Sequence, residues 1–341
     1  MAVTGHGDGL WLESLDRTVF ETDLKQAPDI ERIRDRYLSD TAYTLRFLSI
    51  ALDLEEPRIF GQYMRWFGSL AFHLGFRISS MRRHFSVMRD VFRQQGLTDG
   101  MPVLEDTFEA GVEAFEKAYH RPETSDPSDN RFLSLLMDMR ADKAFEHVNT
   151  KIGEGMTLRD VYLDILQPTL YSVGELWHQG RISDAMEHYI TAAIQNIIGK
   201  LYPLLFGSRV RSAHTVTAVC AGDELHEIGM RMVADFFEMS GWDTVFLGSN
   251  LPVDMVVGHL RERPTDVLAV SATTSSNLLD LKTLINTVKR TPELEGIKIM
   301  VGGKIFNETP GLWQRVGADA SAADAEQAVL LASLLVGESH A

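Results

Sequence analysis

Between residues 29 and 120 the apolar positions recur at three- and four-residue spacing, as in Leu45, Leu48 and Leu52 and then Phe60, Tyr63, Met64, Phe67, Leu70 and Leu74. That spacing keeps returning to one side of a 3.6-residue helix. It predicts four helices, over 29–53, 57–76, 79–95 and 101–119, with Pro57 in a first turn, Ser79 as an N-cap and Gly96 as a stop. Residues 120–130 contain no apolar side chain and are rich in Pro, Ser and Asp, so they read as a linker. Helical period resumes from 131 to 206, interrupted at Gly153-Glu154-Gly155 and at Gln179-Gly180, and predicts four or five helices closed by Gly207-Ser208. Beyond 207 the pattern changes. Short β-branched runs at 215–220, 244–247, 266–272 and 298–301 alternate with amphipathic helices at 227–239, 252–261 and 277–288, and two short helices follow. Strands alternating with helices imply parallel crossover units. The expected fold is therefore multidomain α and α/β: an all-helical module (1–125), a second helical block (126–207) and a doubly wound sheet (208–341).

Composition narrows the function. The chain has 341 residues, 45% of them hydrophobic, enough for more than one core. With 48 Asp and Glu against 33 Lys and Arg, the formal net charge is −15, which offers no general attraction for nucleic acid or an anionic membrane. The single cysteine, Cys220, excludes an intrachain disulfide and a thiolate metal cluster, and it fits a reducing compartment, so the expectation is cytoplasmic. No apolar run approaches the ~18 residues of a spanning helix, and residues 1–10 lack the build of a signal peptide.

The candidate chemistry lies at the ends of the strands, the edge where open α/β sheets bind ligands. After the first strand comes Glu224-Leu225-His226-Glu227-Ile228-Gly229. A histidine in that loop can ligate a metal through one ring nitrogen while Glu224 accepts the other N–H and raises its basicity. Alone, the same residues describe a surface histidine at a helix start equally well. Two further groups share the edge: Ser271-Ala272-Thr273 after the third strand and Gly302-Gly303 after the fourth. Small residues there let an extended ligand tail pass between backbone segments.

These motifs over 208–335 resemble the cobalamin-binding fold, in which a histidine replaces the dimethylbenzimidazole base on cobalt. The resemblance implies a Rossmann-like sheet, His226 as the lower axial cobalt ligand, Glu224 as its partner, Leu225 and Gly229 in the same loop, and Ser271, Thr273, Gly302 and Gly303 around the tail. Many corrinoid enzymes carry Asp where this chain has Glu224, and Glu is the choice of the CarH-like light-sensing branch. Upstream, Trp177-His178 and Glu187-His188 form a Trp-x9-Glu-His pattern, which by itself describes core packing and a solvated helix face. It resembles the four-helix cap of CarH-type cobalamin photoreceptors. That resemblance implies Trp177 against the 5′-deoxyadenosyl group of adenosylcobalamin, Glu187 and His188 bounding the same cavity, and His178 as an upper ligand after photolysis.

No winged helix-turn-helix precedes the cap, so direct DNA binding is not expected. Instead the first module carries Trp66, Phe72, His73 and Phe76, followed by Arg82, Arg83 and His84. These read either as core aromatics with a solvated arginine face or as a pocket for a large planar acid. The architecture resembles the photocobilins, which pair a globin-like biliverdin domain with a cobalamin domain. By that resemblance the seven residues would bind biliverdin, and without a cysteine in the module the pigment would be noncovalent. The expected protein is a non-enzymatic light sensor, acting as a homodimer upon an unknown signalling partner. Two other readings stand beside it: a corrinoid component of a methyltransferase system, and a haem sensor with His73 or His84 as proximal ligand. His226→Ala tests the lower-ligand motif, Trp177→Ala tests the cap, and an absorption spectrum of the holoprotein separates the three readings.

Overall fold

The computed structural model describes Leu12 and residues 15–120, 130–206 and 212–337. It divides into two compact units, 1–124 and 125–341. The linker expected at 120–130 and the closing Gly207-Ser208 fall almost wholly outside the described residues.

The first unit is helical. Its helices are α1 (Asp16–Leu24), α2 (Arg34–Asp53), α3 (Pro57–His73), α4 (Ile78–Gln94), the single turn α5 (Leu97–Gly100) and α6 (Pro102–His120), with a 3₁₀ segment at Pro28–Ile33. Pro57 occupies the first turn of α3, where its missing N–H costs nothing. Gly96 takes a left-handed conformation (φ 68°) just beyond α4. Ser79 does not cap α4: the helix begins at Ile78 behind an extended Arg77, because the backbone turns one residue earlier than the hydroxyl suggested. Helix α1 went unrecognised in the sequence, since its nine residues are mostly polar and only Val19, Phe20 and Asp23 are buried. Helices α3 and α6 approach closely at Gly68, where a Cβ would stand 2.3 Å from the carbonyl oxygen of Phe115. Around that crossing Phe60, Met64, Phe85, Phe108 and Phe115 are fully enclosed.

A polar cluster is buried beside this aromatic core. Asp23, with no exposed surface, accepts hydrogen bonds from Tyr37 (2.8 Å) and from Nε of Arg83 (2.8 Å). The Tyr37 hydroxyl also meets Nδ1 of His84 at 2.6 Å. Tyr37 has one proton, given to Asp23, so His84 Nδ1 is the donor in the second bond. Burial, reinforced by Arg83 and opposed by Asp23, pushes the His84 pKa down to about 4. The unfolded chain then takes up the proton at pH ~6.5 that the folded chain refuses until about pH 4. Stability is therefore lost as pH falls through that window, by roughly 2–3 kcal/mol. Melting of the full chain between pH 7 and 4 should show this loss, and His84→Gln should flatten it; identical slopes for the two proteins would remove His84 as the cause.

The second unit begins with helices α7 (Arg131–Met137) and α8 (Ala141–Gly153). A continuous helical run follows, from α9 (Leu158–Asp160) through a π-helical stretch (Val161–Leu166) into α10 (Gln167–His178), and α11 (Asp184–Leu201) lies after it. The π stretch precedes Pro168, which has no N–H to give to the carbonyl four residues back. Thr157 and Asp160 form a reciprocal capping box at the start of the run.

The α/β part comprises β1 (Thr215–Cys220), α12 (Glu227–Met239), β2 (Asp243–Gly248), α13 (Val253–Glu262), β3 (Val267–Ser271), α14 (Leu278–Arg290), β4 (Lys298–Gly302), α15 (Lys304–Glu308), α16 (Leu312–Val316), β5 (Ala320–Ala322) and α17 (Ala325–Leu335). The five strands are parallel in the order β2-β1-β3-β4-β5. The chain reverses its winding between β1 and β3, and the crevice outside their C-terminal ends is the expected ligand position. The sequence pattern ended at two short helices and missed β5 and α17: β5 is three small residues without β-branching, and α17 is apolar nearly all round its circumference. The helical block and the sheet share one core, in which Ile228, Met232 and Phe236 of α12 pack with Tyr162, Leu166, Ile190, Ile194 and Ile198.

Candidate functional site

His226 is the residue that opens α12, at the C-terminal end of β1. Its Nδ1 lies 2.5 Å from Oε1 of Glu224, which also accepts the His226 backbone N–H at 3.0 Å. Oε2 of Glu224 accepts the backbone N–H of Thr273 at 2.7 Å, so one buried carboxylate joins the loops after β1 and β3. Burial raises the pKa of Glu224, but the bonds and charge of His226 and the Thr273 N–H outweigh it and bring the value to about 2. An ionised carboxylate only accepts. Nδ1 therefore carries the hydrogen, and Nε2 is left as the ring's donor atom towards a metal. The ring is 66% exposed while its carboxylate is 2% exposed, an arrangement with the orienting group inside and the ligating edge outside. The bond to Glu224 raises the proton affinity of His226, burial opposes it, and the charges of Glu224 and Glu187 add to the rise while Lys304 lowers it. Glu187 belongs to α11, so the helical block brings a carboxylate within electrostatic reach of this histidine.

Four small residues stand in register across the strand ends: Cys220 opposite Ser271, Ser271 opposite Gly302, and Gly302 opposite Ala322. The Ser271 hydroxyl donates to the Cys220 sulfur at 3.4 Å. Gly303 has φ 106°, and a Cβ there would sit 2.2 Å from the Ala272 carbonyl oxygen. The β3 and β4 ends are thus brought together by the absence of a side chain, which leaves a narrow backbone-lined edge.

Residues 214–332 match one B12-binding domain model, and residues 129–202 match a second one. The second unit is a B12-binding unit. The chain is 23% identical over 207 residues to a corrinoid protein of Desulfitobacterium hafniense (strain Y51), covering 60% of this chain and 94% of that protein. It is 26% identical over 195 residues to dimethylamine corrinoid protein 2 of Methanosarcina acetivorans, covering 55% and 87%. It is also 26% identical over 220 residues to the HTH-type transcriptional repressor CarH of Myxococcus xanthus, covering 64% of each. Among solved structures, the monomethylamine corrinoid protein of Methanosarcina barkeri aligns with a TM-score of 0.54 at 21% identity, over 60% of this chain and 95% of that one. The B12-binding unit shares that fold.

The donor set fits a corrin cofactor. An oriented imidazole with an outward Nε2, the row of small residues and the Gly303 cradle can hold cobalt below and an extended tail beside it. Leu225 is 73% exposed next to His226, and a side chain at Gly229, in the first turn of α12, would project into open space. On the cap of the B12-binding unit, Trp177 is half-buried and its Nε1 donates to Asp184 at 2.7 Å, closing the α10–α11 turn. Glu187 accepts from Thr191 at 2.8 Å and lies 3.3 Å from Nδ1 of the exposed His188. His178 is buried at the end of α10. Adjacent helix positions diverge by about 100°, so Trp177 and His178 do not share a direction. The sequence motif gave no sign of Glu227, which accepts from Gln195 of α11 (3.1 Å) and from Ser249 after β2 (3.0 Å).

The seven residues expected around a planar acid are not drawn to one centre. Arg82 pairs with Glu116 at 2.8 Å, Arg83 with Asp23, and His84 with Tyr37. Trp66 and Phe72 are 39% and 46% exposed, Phe72 lies edge-on to both His73 and Tyr119, and Phe76 lies under the Arg36 guanidinium. The expected guanidinium pair is already engaged, because the unit supplies its own carboxylates.

No helix among the described residues is long and apolar enough to cross a membrane.

Proposed function

We propose that the chain is a light-responsive protein that holds adenosylcobalamin, with His226 as lower ligand, Glu224 as its orienting base and Ser271, Thr273, Gly302 and Gly303 beside the tail. The observations that support the reading are the buried Glu224 that orients His226 with Nε2 outward and the Gln195–Glu227 bond, which brings α11, the helix carrying Glu187 and His188, to the residue after His226. When bound, adenosylcobalamin supplies a photolabile cobalt–carbon bond. Trp177, fixed by Asp184, excludes water above that bond, and Glu187 and His188 bound the same space. His178, buried and directed away from Trp177, takes the upper position after light only through a rotation of α10. Output passes through changed helix contacts in a homodimer to a cytoplasmic partner.

The N-terminal unit belongs to the same reading as a noncovalent biliverdin domain, with the exposed rings of Trp66 and Phe72, together with His73, Phe76 and His84, as its contacts. Propionates reaching Arg82 and Arg83 exchange with Glu116 and Asp23. The second reading is a methyl-carrying corrinoid component. It is favoured by the methylamine corrinoid proteins among the similar chains, which cover 55% and 60% of this one.

The deciding experiment loads the full chain with adenosylcobalamin in the dark, illuminates it, and follows the spectrum and the mass by light scattering. The expected result is a spectrum that changes with light and a light-dependent change in assembly, with Trp177→Ala selecting adenosylcobalamin less well through the cavity it opens. A light-inert complex that accepts methyl groups from a methylated donor supports the carrier instead. Added biliverdin should give an intensified far-red band that Arg82→Ala/Arg83→Ala weakens; a free-pigment spectrum confines the sensor to cobalamin.

A further inference from the structure

Helix α12 packs against the cap along a shared apolar face, and its polar ties to the cap fall at two places that differ in strength. At its far end Asp235, 1% exposed, accepts from the Tyr162 hydroxyl at 2.7 Å and from Nε of Arg231 at 2.9 Å. Tyr162 is fully buried within the π-helical stretch, and its position there ties the α9–α10 run to α12. Arg159 adds a bond to Ser240 at 2.7 Å and lies over the Phe236 ring, and Tyr202 donates to Glu238 at 3.1 Å. Separating these groups leaves a carboxylate inside the core without its phenol, which shifts an equilibrium by a few hundredfold or more. At the near end, one residue from His226, the polar tie is the Gln195–Glu227–Ser249 link, beside the packing of Ile228 in the same core as Ile190 and Ile194. Gln195 is exposed to solvent. Water replaces its bond readily, so breaking it shifts an equilibrium only by a factor of about five.

Glu187, Thr191 and Gln195 follow one another at four-residue steps on one face of α11. Thr191 fixes the Glu187 carboxylate, and Gln195 fixes the helix to the residue after His226. We infer that Gln195 and Glu227 are positioning residues for the upper face of the B12 site: their bond is the releasable tie that sets the height of α11 over His226, while the Tyr162–Asp235–Arg231 cluster is the fixed pivot. The cap opens by tilting at the rim and keeps its seat on the far half of α12. This inference rests on the proposed reading of α11 as the upper boundary of the site.

Two measurements on the full chain test it. In the cofactor-free protein, Gln195→Ala should speed amide hydrogen exchange over 184–195 about fivefold, with 158–166 unchanged. Glu227→Ala should do the same, and the double variant should do no more than either, because one bond is lost. Gln195→Lys, which keeps a donor facing Glu227, should restore the slow exchange. In the hydroxocobalamin-loaded protein, added azide should reach the upper position about fivefold faster in Gln195→Ala while the lower-ligand spectrum stays as in wild type and the melting temperature falls by no more than about 4 °C. Unchanged exchange over 184–195, or equal acceleration over 158–166, overturns the inference. If wild-type protein does not retain hydroxocobalamin, the functional reading fails, and the amide measurement still decides the tie.

Discussion

Under the proposed reading, His226→Ala is expected to abolish the protein-derived nitrogen on cobalt. In protein labelled with ¹⁵N-histidine and loaded with cobalamin, the reduced Co(II) state should show a nitrogen-15 doublet splitting in wild type and none in the variant. Glu224→Ala should retain a weaker form of the signal, with affinity lowered on the order of 10–100-fold, the usual effect of removing the group that orients a ligating histidine. The difference arises because Glu224 holds Nδ1 and the Thr273 N–H together from a buried position. Without it the imidazole can still bind, but it must be ordered at the moment of binding, and the β1 and β3 loops lose their common anchor. A persistent ¹⁵N splitting in His226→Ala would assign the lower position to another histidine.

Gly303→Ala is expected to be the most damaging single-methyl change in the α/β part. Its φ of 106° is a conformation that side chains resist, and the added Cβ would stand 2.2 Å from a backbone oxygen, which no rotamer change can relieve. Strain of this kind costs about 3 kcal/mol or more, equivalent to a fall of roughly 6–12 °C in melting temperature for a unit of this size. Cobalamin affinity should fall with it, since the β3 and β4 ends must part. Gly229→Ala is the informative contrast. Its Cβ meets nothing within 4 Å and lies within α12, so the cofactor-free protein should hold or gain up to about 1 kcal/mol. If Gly229 leaves room for the cofactor, binding is nevertheless weakened, and stability and affinity move in opposite directions. Calorimetry with and without hydroxocobalamin gives both quantities; a Gly303→Ala protein that melts with wild type would show that the close approach at Ala272 is not required.

The helices and strands were legible where periodicity was strong. The pattern placed β1 and α12 at their observed limits, and Pro57 and Gly96 marked boundaries through restricted or left-handed backbone. It failed at α1, β5 and α17, where a polar helix, a three-residue strand and an almost uniformly apolar helix carry no amphipathic contrast. The same distinction applies to the site. His226 and Glu224 are two residues apart, so their pairing could be foreseen from loop geometry. The Thr273 N–H on the same carboxylate could not, because it is a backbone group brought 49 residues along the chain by the β1–β3 pairing. Arg82 and Arg83 show what the sequence leaves open. Their charges were visible, but the carboxylates that engage them come from Glu116 and Asp23, 34 and 60 positions away.

The sequence by itself determined the helical and α/β character, the strand-end position of the small residues and the identity of the imidazole–carboxylate pair, because each depends on neighbours within one turn or one loop. Only the tertiary structure decided that Glu227 links Gln195 to Ser249 and that Tyr162 is buried against Asp235. Those relations join residues 22 to 73 positions apart, across the cap and the sheet. A one-dimensional pattern records which faces must be buried; packing of those faces chooses which polar groups meet.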